Sequence, residues 1–224
     1  MWRAIGRQFR NPAGLGGWLM GRVMEAINQA PNRETIAALA IAPTDVIVEI
    51  GHGPGCAIEV LAASAPRGRV YGVDPSLAMH VSAARRNRKA LAAGRVRLSQ
   101  GDIRDLRLAS ESIDKILAVN VVYFLDGDGI ELKEAWRLLK PGGRIALYAT
   151  DKSVMSRWKF AGPETHRLFG RGELFDVLRC AGFDPGEIVI REVKVAFGVR
   201  GLVATATKRE SGISYAPSAK IFER

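Results

Sequence analysis

Cysteine, histidine and long apolar runs are all scarce in this chain. The two cysteines, Cys56 and Cys180, allow neither a CxxC zinc site nor a disulfide framework, which fits a reducing compartment. Three histidines occur, His52, His80 and His166, with no HxxxH spacing and no clustered carboxylates, so no metal is expected. No apolar run reaches the roughly 18–20 residues of a membrane span. The opening Met1-Trp2-Arg3-Ala4-Ile5-Gly6-Arg7 is charged without an apolar stretch behind it, so the expectation is no secretory signal and a cytoplasmic location. Repeats and low-complexity tracts are absent. So is a basic stripe interleaved with aromatics, which argues against a nucleic-acid partner.

What is present suits one large folded domain: 224 residues, 47% hydrophobic and 25% charged. The net charge of +10 favours anionic partners, among them an acidic membrane surface, so peripheral membrane contact is compatible with the sequence. That charge is diffuse. Arg85, Arg86, Arg88 and Lys89 form the one tight cluster, and on an expected helix it reads as a solvated face.

Short β-type runs alternate with helical stretches through the middle of the chain. Strands are expected at 46–50, 70–73, 96–99, 113–119 and 144–148, with helices at about 55–65, 76–92 and 128–139, the last ended by Pro141-Gly142-Gly143. This order predicts an α/β fold with a doubly wound parallel sheet. A further helix at 171–181 precedes two β-type runs, 188–197 and 202–207, whose short linker permits only a hairpin. Three regions follow: an N-terminal helical segment over 1–33, with an amphipathic stretch at 14–28 that packs on the body or closes a cleft; a domain over 34–207; and a patternless tail over 208–224, open to disorder. The long loop 152–170 has the length of a substrate lid.

The strongest chemical signal is Glu49-Ile50-Gly51-His52-Gly53-Pro54-Gly55, between a strand and a helix. Glycines there let the chain turn sharply and a ligand approach the backbone. The spacing departs from the dinucleotide fingerprint GxGxxG, because position 56 is Cys, which disfavours a dehydrogenase. Asp74 ends the second strand, 23 residues after Gly51, where an acid can accept from ribose hydroxyls; a helix cap is the plainer alternative. Asp102 follows the third strand, and taken alone it reads as a turn aspartate.

Together these segments resemble the class I S-adenosylmethionine-dependent methyltransferases. Residues 46–55 are similar to motif I and 70–76, with Met79, to the second motif. Gly101-Asp102 and Ser112 to Ile116 resemble the third and fourth, and Leu138-Leu139-Lys140-Pro141-Gly142-Gly143 resembles the "LLKPGG" segment. The methyltransferase type 11 family, which includes quinone- and small-molecule-modifying enzymes, looks like the nearest branch. The resemblance implies a Rossmann-like sheet of seven strands, mostly parallel, with an antiparallel C-terminal hairpin, and S-adenosyl-L-methionine as cofactor. It implies that Glu49, Gly51, His52, Gly53 and Gly55 hold the methionine part. Asp74, with Pro75 and Met79 beside it, would hold the ribose; Asp102 and Ile103 the adenine; and Asn120 would lie near the sulfonium. It says almost nothing about the acceptor.

The expected chemistry is in-line displacement, so alignment and desolvation matter most. A base helps only where the nucleophile must lose a proton. His166, in the long loop, and His52 are the candidate bases; His80 reads as a packing residue, and Tyr123 or Tyr148 would line the acceptor pocket or join the core. A small-molecule acceptor leads. The alternatives are a phospholipid headgroup N-methyltransferase at an anionic membrane surface, using Trp18, Leu19 and Arg22, and a non-catalytic S-adenosylmethionine-binding protein.

Overall fold

The parallel runs of the sequence become parallel strands in the computed structural model, which describes residues 14–125, 129–161, 166–195 and 198–209, with side chains from Glu25 onward. The strands are β1 (Val46–Ile50), β2 (Arg69–Asp74), β3 (Val96–Gln100), β4 (Ile113–Val119), β5 (Leu139–Thr150), β6 (Ile188–Lys194) and β7 (Arg200–Thr207), in spatial order β3-β2-β1-β4-β5-β7-β6. Pairings among the first five are parallel. β7 enters antiparallel between β5 and β6, as the short linker requires. The order reverses at β1, so the carboxyl ends of β1, β2 and β4 open a crevice at the switch point.

Both sheet faces are buried, which explains why the inner strands read as continuous apolar runs. On one face, Ile47, Val70, Leu117 and Tyr148 pack with Leu39 of α1 (Gly14–Leu39) and Ile58 and Leu61 of α2 (Cys56–Ser64). The same face carries α3 (Leu77–Arg86) and α4 (Arg88–Ala92). On the other, Val48, Ile116, Ile145 and Leu147 meet Leu132, Ala135 and Leu138 of α5 (Ile130–Leu138), and Leu174 and Leu178 of α7 (Arg171–Ala181).

Three expectations change in detail. The N-terminal helix does not stop near 28 but runs through Pro31 to Leu39, crossing the expected boundary at 33. The apolar side chains expected at its start, Leu15 to Val23, lie outside the described residues, and Ile27 is exposed. The helix expected over 76–92 is two helices, divided at Asn87 (φ −97°, ψ 17°), whose side-chain amide donates to the Gly55 and Ala83 carbonyls, 3.0 Å from each. The long loop holds a short helix, α6 (Lys152–Met155). Of the expected tail, residues 210–224 lie outside the described residues, whereas the Lys208 backbone pairs with Gly142 and Gly143. Among the described residues no helix is long and apolar enough to cross a membrane.

Candidate active site

A cavity of about 310 Å³ lies at the carboxyl ends of β1, β2 and β4. Its floor is the glycine loop. Gly51, Gly53 and Gly55 all take positive φ, at 68°, 51° and 81°, where other residues are strained. The three have different neighbours. A Cβ on Gly55 would stand 2.7 Å from Ala83 Cβ, so this glycine lets α3 pack on the loop, and one on Gly51 would strike the Val121 side chain. A Cβ on Gly53 would meet nothing within 4 Å; this residue lines the cavity itself.

Asp74 ties β2 to that loop. Its Oδ2 accepts from Gly53 N–H at 2.9 Å and its Oδ1 from Ser76 N–H at 2.8 Å. The helix cap is Ser76, whose hydroxyl accepts from Met79 N–H. Asp102 is arranged otherwise. It is partly exposed, and Arg104 covers it through Nε at 2.9 Å and Nη2 at 2.7 Å. It also caps a short 3₁₀ turn over Ile103–Leu106. The hydrogen bonds from Arg104 hold its carboxyl below the usual range. Pro75, Met79 and Asp102 line the cavity; Ile103 is buried and, like Gly55, does not.

Two cavity-lining residues each carry a buried polar atom without a partner among the described residues: Glu49 Oε2 and His52 Nε2. Burial, and then the Asp74 charge, push the Glu49 carboxyl well above its ordinary value. Burial keeps the His52 imidazole below its ordinary value, against the pull of Asp74. His52 Nδ1 lies 2.8 Å from the Gly53 carbonyl, which assigns the proton there and leaves Nε2 as an acceptor. Cys56 is half-buried in the cavity wall, not a core residue as its size suggests, and burial raises its thiol to about 11.

The roof comes from α1. Glu25, Asn28 and Asn32, spaced along one helix face, line the cavity opposite the loop. Asn28 Oδ1 accepts from Asn120 Nδ2 at 2.8 Å, and Glu25 pairs with Arg86 at 2.8 Å. Asn120 itself sits at φ 58°, a conformation Asn tolerates better than most residues. Tyr123 fixes it: the hydroxyl donates to Asn120 Oδ1 at 2.9 Å and accepts from Thr150 N–H.

Of its two expected places Tyr123 takes the core: it is buried behind the pocket, and burial drives its phenol far up. His166 is also buried, in a cluster with Tyr123, Phe124 and Phe160, its ring centroid 4.8 Å from that of Phe124. Within this cluster Phe124 alone borders the cavity. Tyr148 joins the core. His80 stands beside His52, their ring centroids 6.3 Å apart. Sequence reasoning missed Glu25, Asn28, Asn32, Arg104 and Glu131, all of them cavity-lining. The polar spacing of the first three was a usable signal, hidden because Pro31 reads as a helix end.

A family profile described as a methyltransferase domain, type 11, matches residues 48–147. The chain is 33% identical over 190 residues to the uncharacterized methyltransferase YdaC of Bacillus subtilis, covering 85% of this chain and 98% of that protein. It is 35% identical over 111 residues to the ubiquinone/menaquinone biosynthesis C-methyltransferase UbiE of Syntrophotalea carbinolica, spanning 49% of this chain and 46% of that one. The crystal structure of a SAM dependent methyltransferase from Aquifex aeolicus shares the fold, with a TM-score of 0.66 at 18% identity over 92% of this chain and 97% of its own. A match across nearly the whole of one relative, on a sheet whose order reverses at the glycine loop, carries the assignment: the chain belongs to the class I S-adenosylmethionine-dependent methyltransferases.

Proposed function

We propose that this methyltransferase acts on a small molecule held beneath α1, and that it works by alignment and desolvation more than by proton transfer. The observation that carries this reading is the shared wall. Glu25, Asn28 and Asn32 line the same cavity as the glycine loop, and the Asn28–Asn120 and Glu25–Arg86 contacts close helix over floor. An enclosed space suits a small acceptor better than a polymer. The UbiE relative, named for quinone biosynthesis, also acts on small molecules, as that name implies.

The donor set fits an S-adenosyl group. Each Asp74 oxygen accepts one backbone bond and keeps one lone pair, which suits two neighbouring ribose hydroxyls. The cavity-lining Glu49 keeps an unpartnered carboxyl oxygen for the amino-acid part, and Gly53 leaves it room. Asp102 Oδ1 is filled by two Arg104 donors, so Oδ2 has the remaining capacity for an exocyclic amine. When bound, S-adenosylmethionine supplies a methyl on a positively charged sulfur, already activated for displacement.

The chain's own groups do the rest. Asn120 borders the reacting region, and Tyr123 and Asn28 hold its amide in one orientation. Aligning a nucleophile with the methyl carbon in a dry cavity removes several kcal/mol of barrier, in the range of about 7–11 kcal/mol reached by ideal alignment. Where the nucleophile must lose a proton, His52 is the imidazole that lines the cavity, and its lowered pKa keeps it neutral and able to accept. His166 and Tyr123 serve as supports of the wall. Calorimetry should show S-adenosylmethionine and S-adenosylhomocysteine binding and NAD not binding. A metabolite extract supplied with labelled methyl donor should then yield a labelled small molecule. Label appearing only in RNA or protein would refute the acceptor class while leaving the family intact.

A further inference from the structure

The chain's excess charge is segregated. Between Val60 and Gln100 there are eight arginines and lysines against one acid, Asp74, an excess of seven out of the chain's ten. Half of these cations, Arg85, Arg86, Arg88 and Lys89, lie on α3 and α4, which cover β2 and the edge strand β3. Arg67 precedes β2, whereas Arg69 and Arg97 alternate with Val70 and Val96 of the helix-covered face and so point to the opposite face of the sheet.

Arg67, Arg69, Arg85, Arg88, Lys89 and Arg97 are exposed and make no ion pair among the described residues. Only Arg86, the neighbour turned toward Glu25 and Glu59, is paired. Arg85, Arg88 and Lys89 fall within five residues; unpaired like charges so near one another repel, and an anionic partner would relieve that cost.

The helix faces say what kind of partner. Leu77, Val81 and Arg85 are spaced by four residues, so they share one face of α3, while Met79 and Ala83 are buried on the other. Leu77 is 60% and Val81 42% exposed. Four of the six large apolar side chains exposed among the described residues, Ile27, Val60, Leu77 and Val81, belong to α1, α2 and α3. Aliphatic side chains in line with cations match the boundary between headgroups and acyl chains. Nucleic acid would call for stacking rings instead, and the one aromatic between Val60 and Gln100, Tyr71, is half-buried.

We propose that the outer face of α3, with α4, docks on an anionic lipid bilayer. Arg85, Arg88 and Lys89 face the headgroups, and Leu77 and Val81 enter the boundary beneath them. Docking this way sets the start of α3, where Pro75 and Met79 line the cavity, near the membrane surface.

The test is co-sedimentation of the full chain with vesicles of phosphatidylcholine alone or mixed with phosphatidylglycerol. Binding is expected only to the anionic vesicles and should fade as salt rises. Each cation near such a surface is worth roughly fivefold in partitioning, so Arg85→Gln, Arg88→Gln and Lys89→Gln combined should weaken it about a hundredfold. Leu77→Ser with Val81→Ser should weaken it as well. Both variants should keep wild-type affinity for S-adenosylmethionine, and Arg88→Gln alone serves if the triple variant does not fold. The proposal is overturned by wild-type protein that ignores anionic vesicles at low salt, or by binding that none of these substitutions changes. A gel shift with RNA that the triple variant loses, in the absence of vesicle binding, would hand the surface to nucleic acid.

Discussion

The floor and the roof of the cavity are built by different rules. The floor is preset by its glycine torsions and by contacts that fix its backbone N–H groups: Gly53 N–H donates to the Asp74 carboxylate 21 residues on, and Gly51 N–H to the Val73 carbonyl at 2.7 Å. The roof rests on side-chain contacts between distant segments, such as Asn28 with Asn120, 92 residues apart. The floor spends its conformational freedom in advance, which is what a tightly specified ligand needs. The roof is held by a few exchangeable polar contacts and can vary with the acceptor without disturbing the floor. The comparison teaches that one cavity can be walled by parts of unequal rigidity, which on the proposed function would divide cofactor from acceptor.

Breaking the floor should have the largest effect. Gly55→Ala adds a methyl 2.7 Å from Ala83 Cβ and 2.8 Å from its Cα at φ 81°. It should cost about 2–4 kcal/mol of stability from backbone strain and overpacking together. Urea denaturation reads this directly. Gly53→Ala, with open space around it, should cost less stability but lose cofactor affinity; equal stability losses at the two sites would contradict the division of roles among the glycines.

Next is Asp74→Ala, expected to weaken S-adenosylmethionine binding by about 1–3 kcal/mol in calorimetry as charge-assisted hydrogen bonds are lost. Unchanged affinity would remove Asp74 from the site.

Glu49→Gln sharpens the comparison, because stability and binding should move in opposite directions. The folded chain holds the Glu49 proton to higher pH than the unfolded chain does, since burial and then Asp74 disfavour the carboxylate. Stability contributed by this group is present at low pH and falls as pH climbs from the ordinary carboxylate range through the raised folded value. The glutamine variant lacks that loss, so the cofactor-free protein should melt higher at neutral pH, by roughly 2–4 °C for each kcal/mol regained. Cofactor affinity should drop, and wild-type binding should release a proton, measurable as a buffer-dependent heat. A lower melting temperature for the variant would show that Glu49 is paired as the anion in the free protein.

The roof should give the smallest change. Asn28→Ala removes one partly buried hydrogen bond and should cost about 1 kcal/mol or less in stability. Its effect is expected on the KM for acceptor, with cofactor affinity kept. If cofactor affinity falls as far as in Asp74→Ala, floor and roof are one unit and the distinction fails.

Much of this was legible from local pattern. The runs Val46–Ile50 and Ile113–Val119 are mostly apolar because both sheet faces are covered, and composition marked them as strands of a parallel sheet, though not their central place in it. Loop length marked β7 as antiparallel. The glycine loop and Asp74 could be placed because their contacts are short in sequence. The misplacements share a cause. Tyr123 and His166 looked available because both kinds of side chain can do chemistry, yet the fold turns them into one aromatic cluster whose far side is the cavity wall. Asn87 looked like a helix interior, yet its side-chain amide donates to the Gly55 carbonyl where the helix divides.

What the sequence determined by itself was the order of strands and helices, the hand-off from parallel to antiparallel sheet, and the glycine loop that floors the cavity. Those depend on hydrophobic period, glycine torsions and linker length, all of them properties of neighbouring residues. Only tertiary structure decided that α1 closes the cavity, that Glu49 Oε2 and His52 Nε2 are buried without partners in its wall, and that the unpaired cations of α3 and α4 share a surface with exposed Leu77 and Val81. Each of these is set by which faces the packed sheet and its helices turn toward one another and which they leave outward.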